Sequence, residues 1–132
     1  MLRFMFVLGA VVDGAIAISW FLIAFGLNIP NVLNGYTGDG ADYQLAMYTG
    51  AMFLAGWTVL LVWGAMKPLE RRGLLLITSV LLLISVIIEF VFFRDLLGGV
   101  GFIFGVSKRI FLAVLAAAIY FYSLNKESRQ ST

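Results

Sequence analysis

Four long apolar stretches follow one another along the chain, and most charged residues lie between or beyond them. The stretches cover about 4–27, 43–66, 74–93 and 100–124. Each can cross a bilayer as a helix, because about 20 residues at about 1.5 Å each span about 30 Å of hydrocarbon. The pattern predicts an all-α integral membrane protein with four transmembrane helices, a single domain over residues 1–132 and a flexible tail at 125–132.

The start of the fourth stretch is ambiguous. Lys108 and Arg109 lie inside it, in a segment rich in glycine. Either a helix begins near Val100 with two cations in its first turns, or residues 96–107 form a loop and the span begins only at Lys108. We favour the earlier start, at about residues 100–104.

The positive residues of the short loops predict the orientation. Six of the nine cations fall on one side of the membrane and three on the other: Arg3, Lys67, Arg71, Arg72, Lys126 and Arg129 against Arg94, Lys108 and Arg109. Lys and Arg accumulate in cytoplasmic loops, so both termini are expected in the cytoplasm and the helices in an antiparallel bundle. The first outer loop, 28–42, agrees because it contains Asp39 and Asp42 but no cation.

Composition supports a membrane location and excludes several types of reactive and metal-binding site. The chain is 62% apolar and 12% charged, against about 45–50% and about 25% in soluble domains. It contains no Cys and no His, which excludes disulfides, thiolate zinc sites, haem held by His and nucleophiles activated by His. We therefore expect no cofactor, no metal site and no nucleic-acid partner.

Asp13 is the carboxylate expected near the middle of the first span. An ionisable group in lipid costs a few kcal/mol, so it requires a partner or a function. Its helical face carries small residues and two rings, at spacings built from three, four and seven: Phe6, Gly9, Ala10, Ala17, Trp20 and Ala24. Small residues there and at Gly14 let another helix approach closely, so Asp13 is expected to point into the bundle.

Two interpretations of Asp13 are equally favoured. In the structural one, the carboxyl stays protonated and bonds to a hydroxyl or a backbone carbonyl. In the functional one, the same group serves a proton-coupled carrier or a cation site.

Other candidate groups lie at a matching depth. Thr58 in the second helix and Ser85 in the third lie roughly 12 and 16 Å from the inner ends, against roughly 14 Å for Asp13. Trp57 is about as deep, and Trp20 shares the Asp13 face. An acid among Trp rings can hold an organic cation by cation–π attraction, although such rings more often pack or face lipid. These five residues form the predicted ligand or proton site.

Glu89 is the second carboxylate expected within the membrane. It lies roughly 22 Å from the inner end of the third helix, and Arg109 reaches about the same level on the fourth. We expect Glu89 to pair with Arg109, or failing that with Lys108, near the outer boundary. A structural ion pair is the simpler interpretation, and an outer gate or head-group site is the alternative.

Four short helices with one acid in the middle of the first resemble the layout of small multidrug-resistance transporters. The acid here is Asp13 where that family has Glu, the chain is longer with a larger outer loop, and the family's further motifs are absent. The resemblance is therefore one of layout and carries over neither substrates nor residue roles. A carrier this small must dimerise to enclose a path, and two pairs of small residues offer faces for that: Ala10 with Gly14, and Gly101 with Gly105.

Three functions remain open. The favoured one is binding or transport of a small amphipathic or cationic molecule, coupled to protons through Asp13. The second is a non-catalytic subunit or assembly factor of a larger membrane complex. The third, an intramembrane enzyme acting on a lipidic substrate, ranks last because Asp13 and Glu89 differ in height by about 8 Å. Membrane lipids are the expected surroundings, and the lack of Cys and of glycosylation sequons favours a prokaryotic cytoplasmic membrane.

Overall fold

The computed structural model describes residues 1–27, 29, 38–93 and 100–130, without the side chains of 100, 101 and 127–130. Regular structure in these residues is entirely helical and consists of four helices: α1 Leu2–Ala24, α2 Gly40–Met66, α3 Gly73–Phe92 and α4 Val100–Gln130. All four are long and apolar enough to cross a membrane. The prediction of four apolar helices is therefore confirmed. Arg94 and most of the predicted loop 28–42 lie outside the described residues.

The ends of the helices follow local chemistry. Gly26, just past α1, and Gly40, at the start of α2, both have positive φ, of 87° and 80°, a conformation that glycine adopts without a steric penalty. Pro68 follows directly on the residue that caps α2, where proline cannot continue the helix. A short turn then leads to α3.

The far end of α4 differs from the prediction. The helix continues to Gln130, where a flexible tail from 125 was expected. The polar residues of this segment include Lys126 and Arg129, which are strong helix formers, and it contains neither Gly nor Pro. The change to polar residues therefore marks the end of the apolar span but not the end of the helix, which continues to Gln130.

Large rings on α1 pack onto glycines of α2. Phe6, which is fully buried, lies directly against Gly64, and a methyl group built on Gly50 would come 2.5 Å from Cζ3 of Trp20. Phe6, near the start of α1, contacts Gly64 near the end of α2, and Trp20 contacts the earlier Gly50. The two helices therefore run in opposite directions. Any side chain at either glycine would displace a ring.

Two glycines of α1 form the reciprocal contacts. A methyl group on Gly9 would lie 3.2 Å from Cδ1 of Leu61, and one on Gly14 would lie 3.5 Å from the methyl group of Thr58. Along the contact, the glycines therefore lie on α2 at the two ends and on α1 between them. This close approach is the packing that small residues permit in a membrane protein.

The small-residue pair proposed as a dimer face is used inside the chain. Ala10 is 8% exposed and Ala17 3%, and Gly14 lies on Thr58. Ala10 and Gly14 therefore take part in packing within the chain. Gly105 is buried within α4, and the surroundings of Gly101 lie outside what the structure describes.

Helices α3 and α4 form the second close pair, and one buried cluster joins all four helices. The Ser79 hydroxyl donates a hydrogen bond to the Ala113 carbonyl across 2.8 Å, in a buried position. The shared cluster lies toward the start of α1 and comprises Met5, Phe6, Ala10, Leu61, Leu75, Ala116 and Ile119.

The outward faces of the helices are apolar. Phe53 on α2, Phe92 on α3 and Phe111 on α4 are 77%, 75% and 64% exposed. Large apolar surfaces of this kind are unusual on soluble monomers. They match a hydrocarbon surrounding, in which helices satisfy their own backbone hydrogen bonds.

Candidate functional site

A cavity of about 330 Å³ opens among the four helices. All four contribute to its walls, which are formed by Met5, Gly9, Val12, Asp13, Ile16, Trp20, Leu54, Trp57, Thr78, Leu81, Leu82, Ser85, Glu89, Lys108, Arg109 and Leu112. Ligand pockets usually measure about 300–1,000 Å³. The cavity is thus within the size range for a small organic molecule.

Four of the five residues of the predicted ligand site line this cavity: Asp13, Trp20, Trp57 and Ser85. Thr58 does not. Its hydroxyl donates to the Leu54 carbonyl at 2.8 Å, and its methyl group packs on Gly14. Thr58 therefore belongs to the contact between α1 and α2.

Glu89 and Arg109 form a two-pronged ion pair inside the cavity. Arg109 Nη1 lies 2.5 Å from Glu89 Oε1, and Nη2 lies 2.6 Å from Oε2. The side chains are only 9% and 13% exposed for Arg109 and Glu89. A bidentate guanidinium–carboxylate pair is among the strongest hydrogen-bonded arrangements in proteins.

Two further acceptors hold the guanidinium in place. Arg109 Nε donates to the Gly105 carbonyl at 3.2 Å, and Nη1 lies 3.5 Å from the Ser85 hydroxyl oxygen. The Ser85 hydroxyl itself donates to the Leu82 carbonyl at 2.8 Å. Arg109 is thereby fixed from both α3 and its own helix.

Lys108 brings a second cation to the cavity. It lines the same cavity as Asp13, and the opposite charges of these two half-buried residues attract each other. Lys108 also experiences the like charge of Arg109. The cavity therefore holds two acids and two bases, and their formal charges cancel.

One end of the cavity meets the buried cluster. Met5 belongs to that cluster and lines the cavity, and Thr78 lines it one helical turn from the cluster residue Leu75. The hydroxyl of Thr78 donates to the Leu74 carbonyl at 2.7 Å. Glu89, which pairs with Arg109, lies about three turns further along α3. The end of the cavity at the cluster is thus apolar, and the ion pair lies away from it.

The third tryptophan lies away from this cavity. The Arg71 guanidinium stacks 3.5 Å from the centroid of the Trp63 ring, and Arg71 also donates to the Trp63 carbonyl. Nearby, Lys67 Nζ pairs with Glu70 Oε2 at 3.1 Å. These are contacts of the turn between α2 and α3, and Trp63 takes no part in the cavity.

Sequence reasoning missed Gly50 and Gly64, although a signal for them exists. Gly50, Trp57 and Gly64 recur every seven residues on α2, as Phe6, Asp13 and Trp20 do on α1. Such a repeat keeps one helical face toward a partner. Between the ring contacts at each end, Asp13 and Trp57 both face the cavity.

Among the residues that the structure describes, no cluster of three or more acidic side chains could hold a metal ion. Comparison of the chain with protein-family models, with curated proteins and with solved structures finds no match.

Proposed function

We propose that this integral membrane protein binds a small amphipathic molecule in the cavity and carries it within the membrane. The observation that supports this most is the position of the charged side chains. Asp13, Glu89, Lys108 and Arg109 come from three helices, and all of them line one cavity. Ionisable residues in membrane spans are costly, and where they face a cavity they mark substrate or ion pathways.

The lining also matches an amphipathic ligand better than an ion. Charged groups line the cavity together with apolar side chains such as Met5, Leu81 and Leu82. A polar head can lie among the charges while an alkyl or aromatic portion packs against the apolar side chains. In this proposal Asp13 holds the positive part of the ligand, and a proton taken up by Asp13 releases it.

The proposed topology is an antiparallel bundle of four helices with both termini in the cytoplasm of a prokaryotic cell. The opposite directions of α1 and α2 support the arrangement, and the distribution of Lys and Arg supports the orientation. The chain has no Cys, so single cysteines can report on it. In intact cells, a membrane-impermeant maleimide should label Asp39→Cys, and should label Glu70→Cys only after lysis. The reverse pattern contradicts the orientation.

Filling the cavity tests the proposed function. Leu82 lines the cavity, whereas the next residue, Leu83, is exposed on the outer face of α3. Leu82→Trp adds bulk inside the cavity, and Leu83→Trp adds the same bulk outside. Both variants and the unaltered protein are reconstituted in lipid nanodiscs and titrated with radiolabelled dodecyl amphiphiles that differ in head group.

The unaltered protein should bind at least one of these amphiphiles saturably, at one molecule per cavity. Leu82→Trp should raise the Kd at least about 10-fold, equivalent to about 1.4 kcal/mol, and Leu83→Trp should leave it unchanged. Equal affinities of the two variants, or the absence of saturable binding to the unaltered protein, contradict the proposal.

A further inference from the structure

A second cavity, of about 390 Å³, lies at the end of the molecule where α1 begins and α4 ends. Its walls come from these two helix ends and from the turn between α2 and α3, and they include Leu2, Leu69, Ile119, Tyr122, Ser123 and Lys126. It shares no lining residue with the cavity that contains Asp13. We propose that this second cavity binds an anionic phospholipid, holding its phosphate and the adjoining part of one acyl chain.

The charges at this end of the chain are mostly positive. They comprise six cations, Arg3, Lys67, Arg71, Arg72, Lys126 and Arg129, and two acids, Glu70 and Glu127. Clusters of Lys and Arg beside membrane spans attract anionic lipid head groups, and basic pockets between the helix ends bind them. The overall field at this end therefore favours a negatively charged ligand.

Lys126 brings one of these cations into the wall of the second cavity. Its side chain is exposed, and within the part of the chain that the structure describes it forms no ion pair with an acid. Among the same described residues, no carboxylate lines this cavity. The lysine ammonium group has three donors and binds phosphate as a compact charge. Lys126 can therefore hold a phosphate without first losing another partner.

The two hydroxyl groups of the wall differ in what they can donate. Ser123 Oγ donates to the Tyr120 carbonyl at 2.6 Å, so its proton is used within α4. Tyr122 is 56% exposed, and a phenol can donate to a phosphate oxygen. Tyr122 precedes Lys126 by four residues, so both lie on one face of α4. In the proposed site Tyr122 and Lys126 hold the phosphate together.

The rest of the wall matches a hydrocarbon chain. Ile119 belongs to the buried cluster, and Leu2 packs against that cluster. Ile119 precedes Lys126 on α4 by about 10 Å, at about 1.5 Å per residue. Leu69, in the turn, is 63% exposed. Along α4 the wall therefore changes from a cation at the end of the span to an apolar side chain within it, in the order in which a phospholipid presents its phosphate and its acyl chain.

Two phospholipids with identical acyl chains test this site. The purified protein in a neutral detergent is titrated with phosphatidylglycerol or with phosphatidylcholine, and native mass spectrometry gives the Kd of the first lipid bound. Lys126→Gln removes the cation of the cavity, and Lys126→Arg keeps it. The matched control is Lys67→Gln, the same change at an exposed residue of the same end that does not line the cavity.

The unaltered protein should bind one phosphatidylglycerol at least about 5-fold more tightly than phosphatidylcholine, equivalent to about 1 kcal/mol for one cation near the membrane surface. Lys126→Gln should abolish this preference, whereas Lys126→Arg and Lys67→Gln should retain it. Glycerol phosphate, which has the phosphate but no acyl chain, should not displace the lipid even at a large molar excess.

Three results would overturn the proposal. Equal affinities of the unaltered protein for the two lipids would exclude a site for anionic lipid. Equal losses of preference in Lys126→Gln and Lys67→Gln would show a general attraction to the positive end. Displacement of phosphatidylglycerol by glycerol phosphate would indicate a site for soluble phosphate compounds instead. Lys126 is exposed, so its variants should fold, and none of these results bears on binding in the cavity of Asp13.

Discussion

Removing one partner of the Glu89–Arg109 pair should destabilise the protein severely, and removing both should not. Both side chains are nearly inaccessible, so the charge left behind in Glu89→Gln or Arg109→Met is poorly solvated. Breaking a buried ion pair from one side costs about 3–5 kcal/mol, whereas replacing both partners by apolar groups is often close to neutral. The double variant Glu89→Leu with Arg109→Met should therefore be more stable than either single variant.

The structure also predicts which of the two single variants loses more stability. A carboxylate left alone can become neutral by taking up a proton, but a guanidinium stays charged. Arg109 retains the Gly105 carbonyl as an acceptor, which compensates a small part of its charge. Glu89→Gln should therefore be the more damaging change, near the upper end of the 3–5 kcal/mol range, and Arg109→Met nearer the lower end.

Unfolding in mixed micelles of increasing dodecyl sulfate content, followed by circular dichroism, measures these differences. The matched control is Glu70→Gln, which breaks the pair with Lys67, where the side chains are 66% and 59% exposed. An exposed pair contributes about 0–1 kcal/mol. The reasoning is refuted if Glu89→Gln costs no more than Glu70→Gln, or if the loss in the double variant equals the summed losses of the two single ones.

Two further variants test the helix contacts in the same unfolding assay. Gly64→Ala pushes a methyl group into the Phe6 ring and should cost about 1–3 kcal/mol, whereas Gly56→Ala, which meets open space, should stabilise the helix by about 0.5–1 kcal/mol; equal effects contradict the packing. Ser79→Ala removes the hydrogen bond to the Ala113 carbonyl and should cost about 0.6 kcal/mol; no measurable loss would show that this bond does not stabilise the contact between α3 and α4.

The spans could be predicted from the sequence because lipid imposes a simple rule, a long apolar helix for each crossing. The height of each residue along its helix could also be predicted, since the rise per residue is constant. Arithmetic on that rise puts Glu89 and Arg109 at one level, and the structure joins them at 2.5 Å.

The direction in which each side chain points around the helix axis could not be predicted in the same way. Trp57 and Thr58 differ by about 1.5 Å in height but by about 100° in direction. Trp57 faces the cavity, whereas Thr58 faces Gly14 on α1. Depth alone therefore placed both in the site, and only the contacts between helices separate them.

The place of Lys108 in the cavity could not be predicted from the sequence, for a related reason. Height alone makes it a substitute partner for Glu89, because the two lie at a similar level. In the structure Arg109 takes that role, and Lys108 instead attracts Asp13 from the wall of the same cavity.

The most direct test of the central claim is to locate a bound amphiphile by tryptophan fluorescence. Trp63→Phe leaves Trp20 and Trp57 in the cavity as reporters, and the double variant Trp20→Phe with Trp57→Phe leaves only Trp63 outside it. A single-chain amphiphile brominated along its chain should quench the cavity reporters saturably, at one molecule per cavity, and should quench Trp63 only in proportion to its concentration in the bilayer. Saturable quenching that is the same for both variants, or absent from both, would contradict a binding site in this cavity.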